Sequence, residues 1–509
     1  MDSSLRERLK DFIVKYELLF ILILAAFLRI LFFVGVQLGD DIAYLGYVND
    51  LLNGNFRLPA NHWETRVGLI VPVYFFSKVF GLNEYGMAIF PFLCSLINVF
   101  LIYRISERLF NRKIAVISAV LLSFFPLELY YSTSVYPTVP LSTMCGLSAY
   151  LLMKNRDEKR NLQYFWSGLF LGLAYLIHDI GLFFGLFLIL QVIFLTSGQK
   201  IRRVIMLSLG LLLVVALETG AYSILAGNPL YRINVETRTI SLNSPKDSAD
   251  ASTMQDKGWS SFLKDAESQV LRGNNFWIEP LLTLTTQQEF GLYYYIIIPV
   301  TFYFLARRKK IEGVNLMLLW LIPVILYLFY GSVSPFEYRP LRRWPRYFSL
   351  VSIPGIILIS VLLEEFLVSS KKVIASLLFF LLILSSLLIV TVDNWHRYAV
   401  VQRNVGNYIK THGGIYFAHK TLRNLAFFVS YDTSRLRRFE EEAVKKENSL
   451  GRTYIVYSDK YPIDGNYPIL KAFETPRTIF VELATRMGLP DIVVSKLWRK
   501  ETYFIARTY

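Results

Sequence analysis

Two adjacent carboxylates, Asp40 and Asp41, are the side chains of this sequence best placed for acid–base chemistry. They follow the first long apolar run, Tyr16–Gly35, and Tyr44 lies one helical turn after Asp40. The stretch 39–56 repeats apolar residues at helical spacing, which predicts a helix lying in the membrane interface. A carboxylate at that depth could act as general base on a lipid-linked substrate. The alternative is an acidic N-terminus on a juxtamembrane helix.

Arginines form the second group with chemical potential, within the segment SPFEYRPLRRWPRY at 334–347. They are Arg339, Arg342, Arg343 and Arg346, and Tyr347 follows the last of them. The planar guanidinium group binds phosphate oxygens bidentately. We therefore predict a site for the phosphate or diphosphate of a lipid, with nonspecific anchoring to anionic lipid as the alternative.

A third group is the pair His178–Asp179, which lies between two apolar runs. It could hold a divalent metal ion with other carboxylates, or it could be a hydrogen-bonded pair lining a substrate cavity. Glu128, near the end of another apolar run, is a further cavity candidate. Arg29 lies inside the first apolar run, where a charge needs a function or a partner on another span.

The composition indicates a membrane protein that crosses the bilayer many times. The chain has 509 residues, of which 54% are hydrophobic and 16% aromatic, and its mean hydropathy is +0.41. Lys and Arg exceed Asp and Glu by 54 − 39 = 15 residues. Much of this surplus lies in short loops, where it orients spans, so we expect no nucleic-acid partner. The two cysteines lie inside apolar runs and suggest neither a disulfide nor a metal site.

Hydropathy predicts about eleven spans. They are roughly 16–36, 87–107, 114–129, 136–153, 163–177, 180–196, 203–225, 291–306, 314–330, 347–367 and 373–392. The basic loops all fall on one side together with the basic N-terminus, which makes that side cytoplasmic. The acid pair, the arginine segment and the tail after residue 392 then face outward. We predict a prokaryotic plasma membrane as the location.

The predicted division is a transmembrane domain at 1–392 and an outer α/β domain at 393–509. Three outer loops belong to the first domain, at 37–86, 227–289 and 331–346, and the second of these has a flexible composition. Strands are predicted at four segments of the tail, which are IYFAH, LAFFVSY, TYIVYS and TIFVEL. Arg403–Thr411 and Leu436–Asn448 predict helices.

The layout resembles the GT-C superfamily of integral-membrane glycosyltransferases, in particular its protein O-mannosyltransferase-like branch, which includes the lipid A aminoarabinose transferases. Five segments carry the resemblance through their order and sidedness. They are GDDIAY (39–44), residues 83–126, HDIGLFFGLFLIL (178–190), GNPLYR (227–232) and WPRYFSLVSIPGIILI (344–359).

The resemblance implies inverting transfer of a sugar from a polyprenyl-phosphate carrier to a hydroxyl group on the outer face. It assigns the role of base to Asp40, with Asp41 beside it, and contact with the carrier phosphate to Arg346. It also adds Arg232 of GNPLYR to the substrate cavity. Two positions depart from the family pattern. Thr138 stands where family members often have an acidic residue, and His178 or Asp179 stands where they usually have a lysine.

We therefore expect a GT-C-like polytopic α-helical protein with juxtamembrane helices and a small C-terminal α/β domain. The expected partners are a polyprenyl-phosphate-linked sugar, membrane lipids and a protein, lipid or glycan acceptor. No cofactor is required by this mechanism, and a divalent metal at His178 and Asp179 is the alternative. The rival function is a flippase or transporter of a lipid-linked saccharide, which should show broken spans with polar groups near the membrane centre.

Overall fold

The computed structural model describes most of the chain. The described residues are 3–154, 161–195, 199–242, 284, 290–307, 311–332, 341, 345–392, 399–440, 442, 444, 447, 453–463, 467–475, 482, 485–487 and 501–508. Most of the predicted flexible loop lies outside them, as do Arg339, Arg342, Arg343 and most of the predicted strand TIFVEL.

The described residues of the first half of the chain are mostly helical. Its helices are α1 Ser3–Leu31, α2 Asp40–Leu52, α3 Val67–Phe80, α4 Glu84–Leu109, α5 Arg112–Phe124, α6 Pro126–Tyr131, α7 Thr138–Lys154, α8 Leu162–Ile177, α9 Ile180–Leu195, α10 Lys200–Ala226 and α11 Tyr231–Leu242. The later helices are α12 Tyr293–Ala306, α13 Glu312–Tyr330, α14 Ser349–Val368, α15 Lys372–Val392, α16 Val400–Thr411 and α17 Leu422–Ala426. Among the described residues, Pro345–Phe348 and Phe427–Val429 form 3-10 helices.

Five helices of the described chain are long and apolar enough to cross a bilayer by length and composition. They are Glu84–Leu109, Lys200–Ala226, Glu312–Tyr330, Pro345–Val368 and Lys372–Thr391. Shorter apolar helices are Val67–Phe80, Leu162–Ile177, Ile180–Phe194 and Tyr293–Ala306. The chain is thus a multi-pass, mostly helical membrane protein, as predicted, and the number of eleven spans stays a prediction.

The predicted span at 114–129 is broken in the structure. Asn111 caps the start of helix α5, and its side chain accepts a hydrogen bond of 3.0 Å from the Ile114 backbone N–H. Phe125 follows the last residue of the helix and is extended because a proline comes after it. Pro126 then opens the short buried helix α6, where its missing N–H costs nothing. Glu128 therefore belongs to a separate short helix rather than to the end of a span.

Helices α8 and α10 approach each other closely through glycine. A methyl group on Gly168 would collide with the Leu207 carbonyl oxygen, and one on Gly210 with the Phe165 carbonyl oxygen. Small residues at a helix crossing allow backbones to come together, which is how helices associate within lipid. Most of the rest of α10 is exposed, which suits a helix that faces lipid.

The chain divides into two compact units. The first contains Met1–Phe32, Arg57–Pro72 and Ile89–Ile389. The second contains Phe33–Phe56, Val73–Ala88 and Val390–Tyr509. The predicted tail domain thus shares its compact unit with α2 and with the segments that flank it.

The tail carries a five-stranded sheet made of β1 Ile415–Ala418, β2 Leu436–Arg438, β3 Thr453–Ser458, β4 Ile469–Glu474 and β5 Thr502–Arg507. The strand order is β2-β1-β3-β5-β4. Strand β1 pairs in parallel with β2 and β3, and β5 runs antiparallel to β3 and β4. One face of α16 packs on the sheet through Val401, Val405 and Ile409, which gives the small α/β domain its core.

Two predictions for the tail are wrong. LAFFVSY at 425–431 is the end of α17 followed by a 3-10 helix, because its buried side chains pack against α16 rather than in a sheet. The predicted helix Leu436–Asn448 begins with strand β2, which pairs with β1 in the register Tyr416 to Leu436. Long-range pairing here overrides local helical preference.

Candidate functional site

The acid pair lies in the first turn of α2, within the second compact unit. Asp41 is completely buried, and its two oxygens accept backbone N–H bonds from Gln37 at 2.6 Å and Gly39 at 2.7 Å. Between these donors Leu38 has a left-handed φ of 63°, which a residue with a side chain adopts only under constraint. Asp41 therefore fixes the turn that leads into the helix.

Asp40 and Asp41 differ in their surroundings. Burial raises the pKa of Asp41 to about 6, the backbone hydrogen bonds oppose this rise, and the charge of Asp40 adds to it. Asp40 is partly exposed at the start of the helix, so it is the carboxylate that a substrate could reach. Tyr44 is completely buried in the packed face of α2. The two carboxylates thus separate into an accessible group and a group that shapes the backbone.

Arg232 is buried and lies at the centre of an ion cluster in the first compact unit. Its Nη2 donates to Asp179 Oδ1 at 2.5 Å, Nη1 to Glu218 Oε1 at 2.8 Å, and Nε to Glu236 Oε1 at 2.8 Å. Its guanidinium carbon also lies 4.1 Å from the ring centroid of Tyr175. Arg232 and Asp179 therefore meet, but the donors of Arg232 are directed to carboxylates and to the Tyr175 carbonyl oxygen, and a substrate cavity at this place stays a prediction. This cluster ties α11 to α10 and to the turn before α9.

Glu236 and Asp179 share this cluster and titrate as a pair. Burial and then the charge of Asp179 raise the pKa of Glu236 to about 8. Burial opposes ionisation of Asp179, but the positive charge of Arg232 holds the pKa of this carboxyl group below its usual value. Thr65 Oγ1 donates to Glu236 Oε1 at 3.1 Å. A neutral Glu236 beside an ionised Asp179 is the arrangement expected near neutral pH.

We expect this pair to make stability depend on pH. Because the pKa of Glu236 is higher in the folded state, the folded chain binds the proton more tightly than the unfolded chain. Stability from this proton is complete below 4.5, the ordinary pKa, and is lost as pH rises to about 8. Glu236→Gln mimics the neutral acid, so its apparent Tm should fall less over that range.

The measurement is the apparent Tm of both proteins in one detergent across this pH window. Glu107→Gln is a matched control, because Glu107 forms an exposed i,i+3 pair with Arg104. Its pH dependence should follow that of wild type. Parallel curves for wild type and Glu236→Gln would contradict the shared-proton interpretation.

His178 lies among positive groups in the same unit. Its Nε2 is 3.1 Å from Nη2 of Arg66, and its ring centroid is 5.4 Å from that of Tyr347. Burial, and next the charge of Arg66, lower the pKa of His178 well below its usual value, and Arg346 acts in the same direction. The imidazole is therefore neutral. Nearby guanidinium groups suit an anion here and oppose a metal cation.

The late arginine segment is described only at its end. Arg346 lies in the 3-10 helix Pro345–Phe348, with its guanidinium carbon 5.3 Å from the ring centroid of Tyr136 and 5.6 Å from that of Tyr347. The structure thus brings Arg346, Tyr347 and His178 together in the first unit. Within the described ranges, no group of three or more His, Cys, Asp or Glu side chains could hold a metal ion.

Glu128 and Arg29 belong to a separate buried network in the same unit. Arg29 Nε donates to Ser95 Oγ at 2.6 Å, and Ser95 Oγ donates to Glu128 Oε1 at 2.7 Å. Asn98 Nδ2 donates to the same oxygen at 3.1 Å. Arg29 is 0% and Glu128 2% exposed, so these side chains connect α1, α4 and α6 through buried polar contacts. Arg29 thus has the partner on another segment that its position required.

Sequence reasoning missed Arg66, Glu218 and Glu236. Glu236 follows Arg232 by four residues, a spacing that pairs opposite charges on a helix, and this signal could have found it. Arg66 and Glu218 reach their partners from distant segments, and no local pattern marks them. The acid pair lies in one compact unit, and His178, Asp179, Arg232 and Arg346 lie in the other.

Known proteins resemble this chain in fold and in part of its sequence. The family model of dolichyl-phosphate-mannose-protein mannosyltransferase matches residues 73–219. No curated protein matches the sequence. Among solved structures, ArnT from Cupriavidus metallidurans bound to undecaprenyl phosphate is similar with a TM-score of 0.54 and 11% identity, over 96% of this chain and 97% of that one.

The oligosaccharyltransferase of Archaeoglobus fulgidus, tethered to an acceptor peptide, is similar with a TM-score of 0.53 and 12% identity, over 88% of this chain and 69% of that one. Its complex with Zn and sulfate gives 0.51 and 12%, over 86% of this chain and 68% of that one. The predicted fold, a polytopic helical membrane protein with a small C-terminal sheet domain, is therefore confirmed, and it is similar to the fold of these solved proteins. Sequence identities this low establish similarity of fold and do not by themselves establish a shared activity.

Proposed function

We propose that this chain is an inverting glycosyltransferase that uses a polyprenyl-phosphate-linked sugar and a hydroxyl acceptor. The observation that carries the proposal is the acid pair of α2 in a GT-C fold. Asp40 is accessible at the helix start, while Asp41 is buried and holds the preceding turn. A positioned, accessible carboxylate at this place in the chain is what general-base activation of a hydroxyl group requires.

The reaction is a single displacement. Asp40 accepts the proton of the acceptor hydroxyl group as its oxygen attacks the anomeric carbon of the donor sugar. The bond from that carbon to the phosphate oxygen breaks, and its electron pair leaves with the lipid phosphate. The configuration at carbon inverts, no oxidant is needed, and no metal ion is required to balance the step.

The leaving phosphate gains negative charge, so positive groups must stabilise it. Arg346 is our main candidate, with Tyr347 and the neutral His178 beside it. Arg339, Arg342 and Arg343 remain candidates from the sequence alone.

The donor class follows from the fold relatives and from the residues together. ArnT from Cupriavidus metallidurans binds undecaprenyl phosphate, and the Archaeoglobus fulgidus enzyme takes an acceptor peptide. We infer a polyprenyl-phosphate carrier for this chain and a protein, lipid or glycan acceptor. The flippase alternative is not favoured, because the matched family model and the Archaeoglobus fulgidus relative are both named as sugar transferases.

The test is mass spectrometry of cell-envelope glycoconjugates from cells with the wild-type gene, without it, and with Asp40→Asn. We expect one glycoconjugate mass to vanish in the deletion and in Asp40→Asn, with the lipid-linked donor accumulating. A flippase would instead need no carboxylate base. Restoration of the full product by Asp40→Asn would contradict transfer by this mechanism.

We propose that the acid pair and the tail face outward across a prokaryotic plasma membrane. The basic loops, among them the one with Arg104, Arg108 and Arg112, support this orientation. A reporter that is active only in the cytoplasm should therefore be silent when fused after Tyr509. A reporter fused after Lys154, in a predicted cytoplasmic loop, is the matched control and should be active. Activity at Tyr509 would reverse the orientation.

A further inference from the structure

The segment that leads into the acid pair is held by a contact from the C-terminal domain. Arg403, on α16, donates from Nε to Glu84 Oε2 at 2.7 Å and from Nη2 to Glu84 Oε1 at 2.8 Å. Glu84 opens α4, and its Oε1 also accepts the backbone N–H of Val36 at 3.1 Å. All three residues belong to the second compact unit. We call Arg403, Glu84 and Val36 the clasp.

Gly35 shows how closely the clasp fits. It has a left-handed φ of 75°, and a methyl group at this position would collide with Glu84 Oε1. Val34 and Val36 on either side are completely buried, so the strand-like segment cannot slide away from the carboxylate without exposing them. The backbone of Gly35 therefore lets Glu84 reach Val36 and Arg403 at once.

The clasp and Asp41 hold adjacent peptide groups of one short connection. Glu84 accepts from Val36, and Asp41 accepts from the next residue, Gln37, and from Gly39. Two carboxylates, Asp41 of α2 and Glu84 of α4, thus accept three backbone N–H groups within residues 36–39. The arginine that orients the second carboxylate comes from a helix more than 300 residues later, since the two are separated by 319 positions.

We propose that the clasp is a positioning device, through which the C-terminal domain sets the place of Asp40 for catalysis. The catalytic part of this inference rests on the proposed function, because it assumes that Asp40 is the base. The rigidity of the connection at 35–39 rests on the contacts alone. Arg403 and Glu84 touch neither substrate nor reacting atoms in this scheme. They act through the backbone of 35–39, so their loss should affect turnover more than donor affinity.

The structural test is hydrogen–deuterium exchange of the full-length protein in nanodiscs. In Arg403→Ala, Glu84→Gln and Gly35→Ala, peptides covering 33–42 should exchange at least about tenfold faster, since a charge-assisted hydrogen bond that protects them is lost. Arg437→Ala is the matched control, because Arg437 pairs with Glu447 at 2.8 Å in the same domain. It should leave 33–42 unchanged.

Peptides of β1 and β3 report whether each variant still folds, and they should keep their protection. Arg403→Ala and Gly35→Ala damage the same contact, so the double variant should exchange no faster than the worse single one. Arg403→Lys keeps the charge but loses the bidentate fork, and it should restore part of the protection. Unchanged exchange at 33–42 in all three variants overturns the clasp.

The functional arm uses the lipid extract of a strain lacking the gene as donor source and undecaprenyl phosphate as binding probe. We expect Arg403→Ala and Gly35→Ala to lower kcat about tenfold while undecaprenyl phosphate affinity stays at the wild-type value. Faster exchange with normal kcat overturns the positioning role. Asp40→Asn separates the two ideas: if it keeps full turnover, the base assignment fails, whereas the exchange data still decide whether the clasp holds the loop.

Discussion

Replacing Asp40 by Asn should lower turnover by at least about a hundredfold, the lower range for a positioned general base. The substitution removes the group that takes the acceptor proton and keeps the shape of the side chain. Asp40 is partly exposed, and the neighbouring turn is held by Asp41 rather than by Asp40, so the fold should survive. Steady-state kinetics and undecaprenyl phosphate binding on the purified variant measure the effect, and affinity should remain.

Asp41→Asn is the informative companion. An amide has only one acceptor oxygen, so the variant can keep only one of the bonds from Gln37 and Gly39. We expect a smaller loss of turnover than for Asp40→Asn, together with faster amide exchange in the preceding turn. Near-normal turnover in Asp40→Asn combined with a large loss in Asp41→Asn would transfer the role of base to Asp41.

The sequence predicted well where local pattern decides structure. Helix α2 lies within the stretch where apolar spacing predicted a helix, and strands β1 and β3 match IYFAH and TYIVYS. The acid pair could be found because two carboxylates after an apolar run are unusual. The proximity of His178 to Tyr347 and Arg346 could not be predicted in this way, because these residues lie far apart in the chain.

What local pattern could not supply is the pairing of distant groups. The Arg403–Glu84 contact joins residues 319 positions apart, and the Arg29–Ser95 contact joins residues 66 apart. No local sequence pattern around either residue of such a pair indicates which distant residue it contacts. The run LAFFVSY reads equally as strand or buried helix, and only its packing on α16 decides. The contacts of Asp41 with the backbone of Gln37 and Gly39 likewise have no signal in the sequence.

Replacing Arg346 by Ala should reduce kcat/KM about ten- to more than a hundredfold. A hydrogen bond to an ionised group contributes roughly 1.5–3 kcal/mol, and each factor of ten corresponds to roughly 1.4 kcal/mol. Undecaprenyl phosphate affinity should fall too, because the phosphate is already present before the reaction. The rings of Tyr136 and Tyr347 lie near the guanidinium group and support its orientation. Arg346→Lys keeps the charge without the fork, so it should recover only part of the loss.

The same series separates specific binding from general attraction to anionic lipid. If Arg346 only anchored the segment to the membrane, Lys would replace it fully, and nanodiscs of neutral lipid would impair wild type and variant alike. Arg104→Ala is the matched control, because that arginine pairs with Glu107 on an exposed surface, and it should leave undecaprenyl phosphate affinity unchanged. Equal affinity of wild type and Arg346→Ala for undecaprenyl phosphate would contradict the phosphate contact. It would also remove the main residue-level reason for a lipid-phosphate donor, because the remaining arginines of the segment are supported by sequence alone.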